Sequence, residues 1–245
     1  MPAALYPRDA RILMPDEDYR HYPGAGVLFC RMEAGTLERG AAAWLIGSRQ
    51  LVVLNAHNFV DRTLHPTRPV TDCFFHIGDE AVEFAPGSLC LGVDETSQAL
   101  HITDDWALLR LKHPVSKKIT PQPIPDASKP ATGRLALQVT MVSPAGRANF
   151  HLMTSLESCT IRQIDPPSED GIRRARHDCN DGYGGSGSRL FTQDGQLIAM
   201  HSASLDMNAR RPFDIETHYG SALLLEGALL DAIKQNVSSP YCVNR

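Results

Sequence analysis

The chain has 245 residues, 42% of them hydrophobic, with 24 Lys and Arg against 28 Asp and Glu and a formal charge of −4. That length fits one large all-β unit or two half-size ones, and no apolar run approaches the ~18 residues of a membrane span. Like charge never forms a block, and Arg173–Arg176 reads as a solvated loop, so neither nucleic acid nor a membrane is an expected partner.

The stretch Met1 to Asp9 has no basic n-region and no apolar h-region, so it does not read as a signal peptide. Gly (18) and Pro (17) recur every few residues and break the apolar runs into short pieces, which predicts many strands joined by turns. Strands are expected at 26–29, 43–46, 51–54, 73–77 and 106–111, with a turn at 47–50. From Lys112 to Arg134 the character changes: Pro114, Pro121, Pro123, Pro125 and Pro130 favour an extended connector. Further strands follow at 135–142, 151–154 and 196–200. Leu225, Leu229, Leu230 and Ile233 predict a helix over 223–237. The reading divides the chain into an extension (1–22), a first barrel (23–115), a linker (116–132) and a second barrel with the helix (133–245).

The six cysteines are Cys30, Cys73, Cys90, Cys159, Cys179 and Cys242. An even count hints at disulfides and an oxidising compartment, and the absence of any CxxC pair argues against structural zinc.

Three short peptides carry the chemistry. Ala56-His57 closes the apolar run Leu51 to Leu54, Asp105 opens the run Trp106 to Leu109, and Ser186 sits inside Gly184-Gly185-Ser186-Gly187-Ser188. A serine hydroxyl is a poor nucleophile until a base contacts it, and that base must be held in one tautomer by a third group. Histidine suits the first task, with an ordinary pKa near ~6.5, and a carboxylate suits the second. His57, Asp105 and Ser186 are the candidates, with Asp104 the alternative carboxylate. Backbone amides of Gly184 and Ser186 are candidates for an oxyanion hole, since glycine leaves room for substrate. Each peptide alone has a plainer explanation as a loop, a strand-end histidine or a turn aspartate; their order gives them meaning. The α/β-hydrolase order Ser…Asp…His is the reverse.

At this point the chain resembles the chymotrypsin-like serine peptidases from about Pro23 to Val237. Ala56-His57 matches part of the family's Thr-Ala-Ala-His-Cys, Asp105 to Leu109 looks like its Asp-Ile-Ala-Leu-Leu, and Gly184 to Ser188 looks like Gly-X-Ser-Gly-Ser of bacterial members. Gly185 stands where animal enzymes have the aspartate that pairs with a newly cleaved N-terminus, so activation by N-terminal insertion is not implied. Asn58 stands where they have a cysteine. With His177-Asp178-Cys179, these departures look like the bacterial glutamyl-endopeptidase-like branch.

The resemblance implies two six-stranded antiparallel β-barrels of trypsin-like, all-β class with a C-terminal helix, and a Cys159–Cys179 disulfide. It also implies substrate-binding roles for Asn180, Asp181, His201, Ser202 and Ser204. His201 matches the histidine that glutamyl endopeptidases use for an acidic side chain, and Ser202 the serine that hydrogen-bonds the catalytic aspartate. Asp181 would repel Glu if it faced the pocket, and would weaken an acidic preference if it paired with His201. The expected protein is a secreted or periplasmic monomer that hydrolyses proteins or peptides without metal or cofactor, weakly preferring acidic residues before the scissile bond. Preference for Lys or Arg there, or an inactive homologue that only binds, are the alternatives.

Overall fold

A computed structural model describes residues 4–32, 36–126, 130–148, 151–181, 185–204 and 210–239. The strands are β1 (Ile12–Leu13), β2 (Ala25–Arg31), β3 (Leu37–Leu45), β4 (Leu51–Leu54), β5 (Cys73–Ile77), β6 (Glu80–Glu83) and β7 (Cys90–Leu91). They continue with β8 (Ala107–Arg110), β9 (Gly133–Ala148), β10 (His151–Ile164), β11 (Arg174–His177), β12 (Arg189–Thr192), β13 (Leu197–Ser204) and β14 (Gly220–Leu224), followed by helix α1 (Gly227–Asn236). All ladders between these strands are antiparallel.

The C-terminal sheet runs β1-β10-β11-β14-β13-β12-β9, and β9 pairs back onto β10. Six strands therefore close into a barrel, and β1 adds to it from the far N-terminal end of the chain. The N-terminal sheet, β6-β5-β2-β3-β4-β8-β7, is a half-barrel. Its ends meet only at the bridge Phe84–Leu111, with Ala85 N donating to Arg110 O and Lys112 N to Glu83 O. The expected full six-stranded closure is interrupted here because Pro86-Gly87 forces a turn between β6 and β7, and proline has no N–H for a ladder.

Each strand shows the pattern its burial demands. Phe75 and Ile77 of β5 alternate inward, whereas the uniformly apolar Leu51 to Leu54 of β4 is buried on both faces. One apolar cluster fills the half-barrel around Leu28, Phe59, Phe75 and Leu109, and another fills the barrel around Met141, Ile161, Leu190 and Ala222. A third, containing Trp44, Trp106, Phe191, Met200 and Leu229, joins the two sheets and α1 across their seam.

The helix begins later than its apolar spacing predicts. Leu223 and Leu224 end β14, paired with Arg174, Met200 and Ala199, and Gly227 at φ +52° makes the turn that starts α1. Sheet pairing overrides helical periodicity at these two positions.

Disulfides join Cys30 to Cys73 across the β2–β5 ladder and Cys159 to Cys179 beside β10. They close loops of 43 and 20 residues, and removing such loop constraints costs about 4 and about 3 kcal/mol in the chain-entropy account. Paired Cys→Ser replacement at 30 and 73 should lower stability by more than the same change at 159 and 179. Equilibrium urea unfolding without reductant checks the order.

Candidate active site

His57 lies in a single 3-10 turn, Ala56–Asn58, immediately after β4, and Asp105 precedes β8, the neighbour of β4. The ladder Leu54↔Ala107 thus brings the two residues to the same end of adjacent strands. His57 Nδ1 lies 2.8 Å from Asp105 Oδ2, and His57 N donates to Asp105 Oδ1 at 2.9 Å. The Asp105 side chain is only 6% exposed, whereas that of His57 is 36% exposed, so the free edge of the imidazole faces outward. Asn55 Nδ2 donates to the Asp105 carbonyl at 2.8 Å. Ser202 Oγ, from β13 of the other sheet, donates to Asp105 Oδ2. Asp104 instead accepts from Thr103 Oγ1 and does not touch His57.

Ser186 sits in the turn before β12. Its carbonyl accepts from Ala42 N at 2.8 Å, and the Gly187 carbonyl accepts from Trp44 Nε1 at 3.1 Å, so β3 holds the loop from the half-barrel side. From the barrel side Gly187 N donates to His201 O, and His201 N to Ser188 O. Gly187 has φ +84°, and a Cβ there would fall 2.1 Å from the Ala42 carbonyl oxygen. Only glycine permits that approach. Among the described residues the N–H and Oγ of Ser186 have no hydrogen-bond partner, and neither has Nε2 of His57. Gly184, the other expected oxyanion donor, lies outside the described residues.

Beneath the loop runs a buried polar chain. Asp181 Oδ2 lies 2.5 Å from His201 Nε2, and Ser204 Oγ donates to Asp181 Oδ1 at 2.9 Å. His201 Nδ1 lies 3.0 Å from His177 Nε2, whose Nδ1 accepts from Cys179 N. Of the arrangements open to Asp181, the contact with His201 is the one adopted. The Asp181 carboxyl is held below its usual range: burial opposes ionisation, but His201 and the Ser204 hydroxyl outweigh it.

Asn180 turns the other way. Its Oδ1 accepts from Tyr6 N at 2.9 Å and its Nδ2 donates to Arg8 O and to Glu157 Oε1, while its own N–H donates to Glu157 Oε2. The N-terminal segment and Glu157 therefore form the outer wall of this region. Sequence reasoning missed both, although the buried Leu5 and Tyr6 lie in a visibly apolar run from Met1 to Pro7.

These contacts define a chymotrypsin-like fold, with the histidine, aspartate and serine peptides converging on the seam between two β-sheets. No family model matches the chain, and no curated protein sequence matches it. Among solved structures it is similar to that of a Glu endopeptidase in complex with MPD, with a TM-score of 0.64 and 14% identity over 96% of this chain and 100% of the other.

Two buried groups give the region opposite pH responses. Burial holds His177 neutral, moving its pKa from 6.5 down to about 3, with His201 adding to the shift. Burial also raises Glu157 from 4.5 to about 7, against its bonds from Asn180 and the charge of Arg11. His177 therefore takes stability away as pH falls from 6.5 toward 3, and Glu157 takes it away as pH rises from 4.5 toward 7. Between these limits the slopes oppose one another. Glu157→Gln should unmask the histidine slope, gaining about 3 kcal/mol relative to the parent between pH 4.5 and 7. Denaturant unfolding of both proteins across that range measures the difference.

Proposed function

We propose that the chain is a serine endopeptidase in which Ser186 attacks the scissile carbonyl, His57 shuttles the proton and Asp105 orients His57. The observation that carries this reading is the 2.8 Å contact between His57 Nδ1 and a buried Asp105, together with a Ser186 hydroxyl and N–H left unbonded among the described residues on a glycine-flanked turn. The carboxylate accepts from the histidine's own backbone N–H and from Ser202, so the ring is held in one orientation with Nε2 directed outward. Nε2 would take the Ser186 proton as the tetrahedral intermediate forms and return it to the leaving amine. The Ser186 N–H, with Gly184 N–H as its expected partner, would meet the oxyanion. Water then attacks the acyl-enzyme by the same route. The substrate is a protein or peptide, the protein acts as a monomer, and the disulfides fit a secreted or periplasmic location.

The proposed preference at the residue before the scissile bond is acidic and weak. Both ring nitrogens of His201 face protein groups, Asp181 on one side and His177 on the other. A substrate carboxylate thus competes with one already in place, and the Ser202 and Ser204 hydroxyls already donate to Asp105 and Asp181, which keeps the preference weak. Preference for Lys or Arg is the competing specificity, and Asp181 is the residue that would carry it.

A second reading is favoured by the absence of a bond between Ser186 Oγ and His57: a catalytically silent homologue that binds peptides. Such contacts commonly tighten only when substrate arrives. The wild-type protein should be labelled by a fluorophosphonate and Ser186→Ala should not, with turnover lowered by roughly 10⁴–10⁶-fold. Folded wild-type protein that resists the label would establish the silent reading.

Peptide substrates differing only before the scissile bond test the specificity. Glu or Asp should be cleaved several-fold faster than Gln or Asn, and His201→Gln should remove that difference. Faster cleavage after Arg or Lys would assign the pocket to Asp181 instead.

A further inference from the structure

A cavity of about 490 Å³ opens in the seam between the two sheets, within the ~300–1,000 Å³ usual for small-molecule sites. Much of its wall is apolar, built from Tyr22, Val27, Trp44, Ile119, Val142 and Met153. Its charged lining is of one sign. Arg20, Lys118 and Arg189 border it, and among the described residues no Asp or Glu does, although the chain as a whole carries a charge of −4.

Arg189 is the unusual member of this set. It is 2% exposed, and none of the described carboxylates lies in ion-pair contact with it. Its Nη1 donates to Pro23 O and Gln122 Oε1 and its Nη2 to Tyr22 O, all neutral acceptors, while Nε has no acceptor among the described residues. The guanidinium rests over Trp44 and Phe191, at 5.9 and 5.2 Å from the ring centroids. Arginine is rarely buried without an anion, because neutral acceptors and aromatic faces only partly replace water around a charge. Desolvation accordingly pulls its pKa down to about 9.

We propose that this cavity is a binding site for a small organic carboxylate with an apolar tail. The carboxylate supplies the anion that Arg189 lacks, and the tail lies along the Val27 and Met153 wall. The exposed Arg20 and Lys118 give the entrance a positive field that draws the ligand in.

Calorimetric titration of the full chain with octanoate, and with 1-octanol as its uncharged match, tests the site without reference to hydrolysis. Octanoate should bind with one-to-one stoichiometry and at least about tenfold more tightly than octanol. Met153→Trp, which narrows the apolar wall and leaves Arg189 in place, should weaken octanoate by about tenfold or more, as should Arg189→Met. Lys118→Glu, a surface change that does not threaten folding, should weaken it several-fold, so the proposal remains open to test if Arg189→Met fails to fold. Absence of octanoate binding, equal binding of octanol, or undiminished binding in folded Met153→Trp overturns the proposal.

Discussion

The Asp105 carboxylate is the point on which the two halves of the molecule agree. It is buried at the seam and accepts from the His57 backbone on one side and from Ser202 of β13 on the other, while its Oδ2 meets the His57 ring. A buried carboxylate deprived of such donors carries a desolvation penalty of several kcal/mol, so the relative placement of the sheets is tied to keeping them. Displacing β13 from β8 would strand Asp105. Displacing His57 would do the same from within the half-barrel. The group that orients the histidine is thereby also a registration pin for the fold.

Around that pin the seam is fastened by contacts that use backbone atoms more than side-chain charge. Trp44 fills the third apolar cluster with its ring and holds the Gly187 carbonyl with its indole N–H. Ala42 N takes the Ser186 carbonyl, and His201 closes the other side of the same turn. Arg189 then binds carbonyls of Tyr22 and Pro23, which enter β2, and the side chain of Gln122 from the proline-rich connector. Gln122 itself pairs with Ile46 and exchanges backbone bonds with Leu45 and Gly47. The serine turn is thus held between strands of different sheets and keeps its two unbonded donors, the N–H and hydroxyl of Ser186, available. Rigid backbone around a free reactive group is the arrangement that preorganised chemistry requires.

Sequence exposes those parts of this architecture that depend on neighbours in the chain. The short apolar runs ending at His57 and beginning after Asp105 read directly as strands, because alternation and burial leave a local trace. The Gly-Ser-Gly turn is legible for the same reason. Its glycine at 187 is demanded by one close contact, yet that contact, with Ala42, is about 145 residues away and leaves no trace of its own. Leu223 and Leu224 show the opposite failure. Their spacing continues a helix, but pairing with Met200 and Arg174 makes them a strand. The orientation of Asp181 lay beyond sequence altogether, because it depends on which of several buried partners satisfies the carboxylate best.

The least legible part is also the part that surrounds Asn180 and Glu157. Tyr6 and Arg8 are bound to Asn180 through backbone and amide, β1 adds to β10, and Met14 N donates to the Thr154 carbonyl. These are long-range bonds made by a segment with no strand-like pattern of its own. Their effect is to turn the Asn180 side chain outward, toward Glu157, while Asp181, the next residue, points inward to His201. The N-terminal segment thus fixes Asn180, the chain neighbour of the residue that lies against His201.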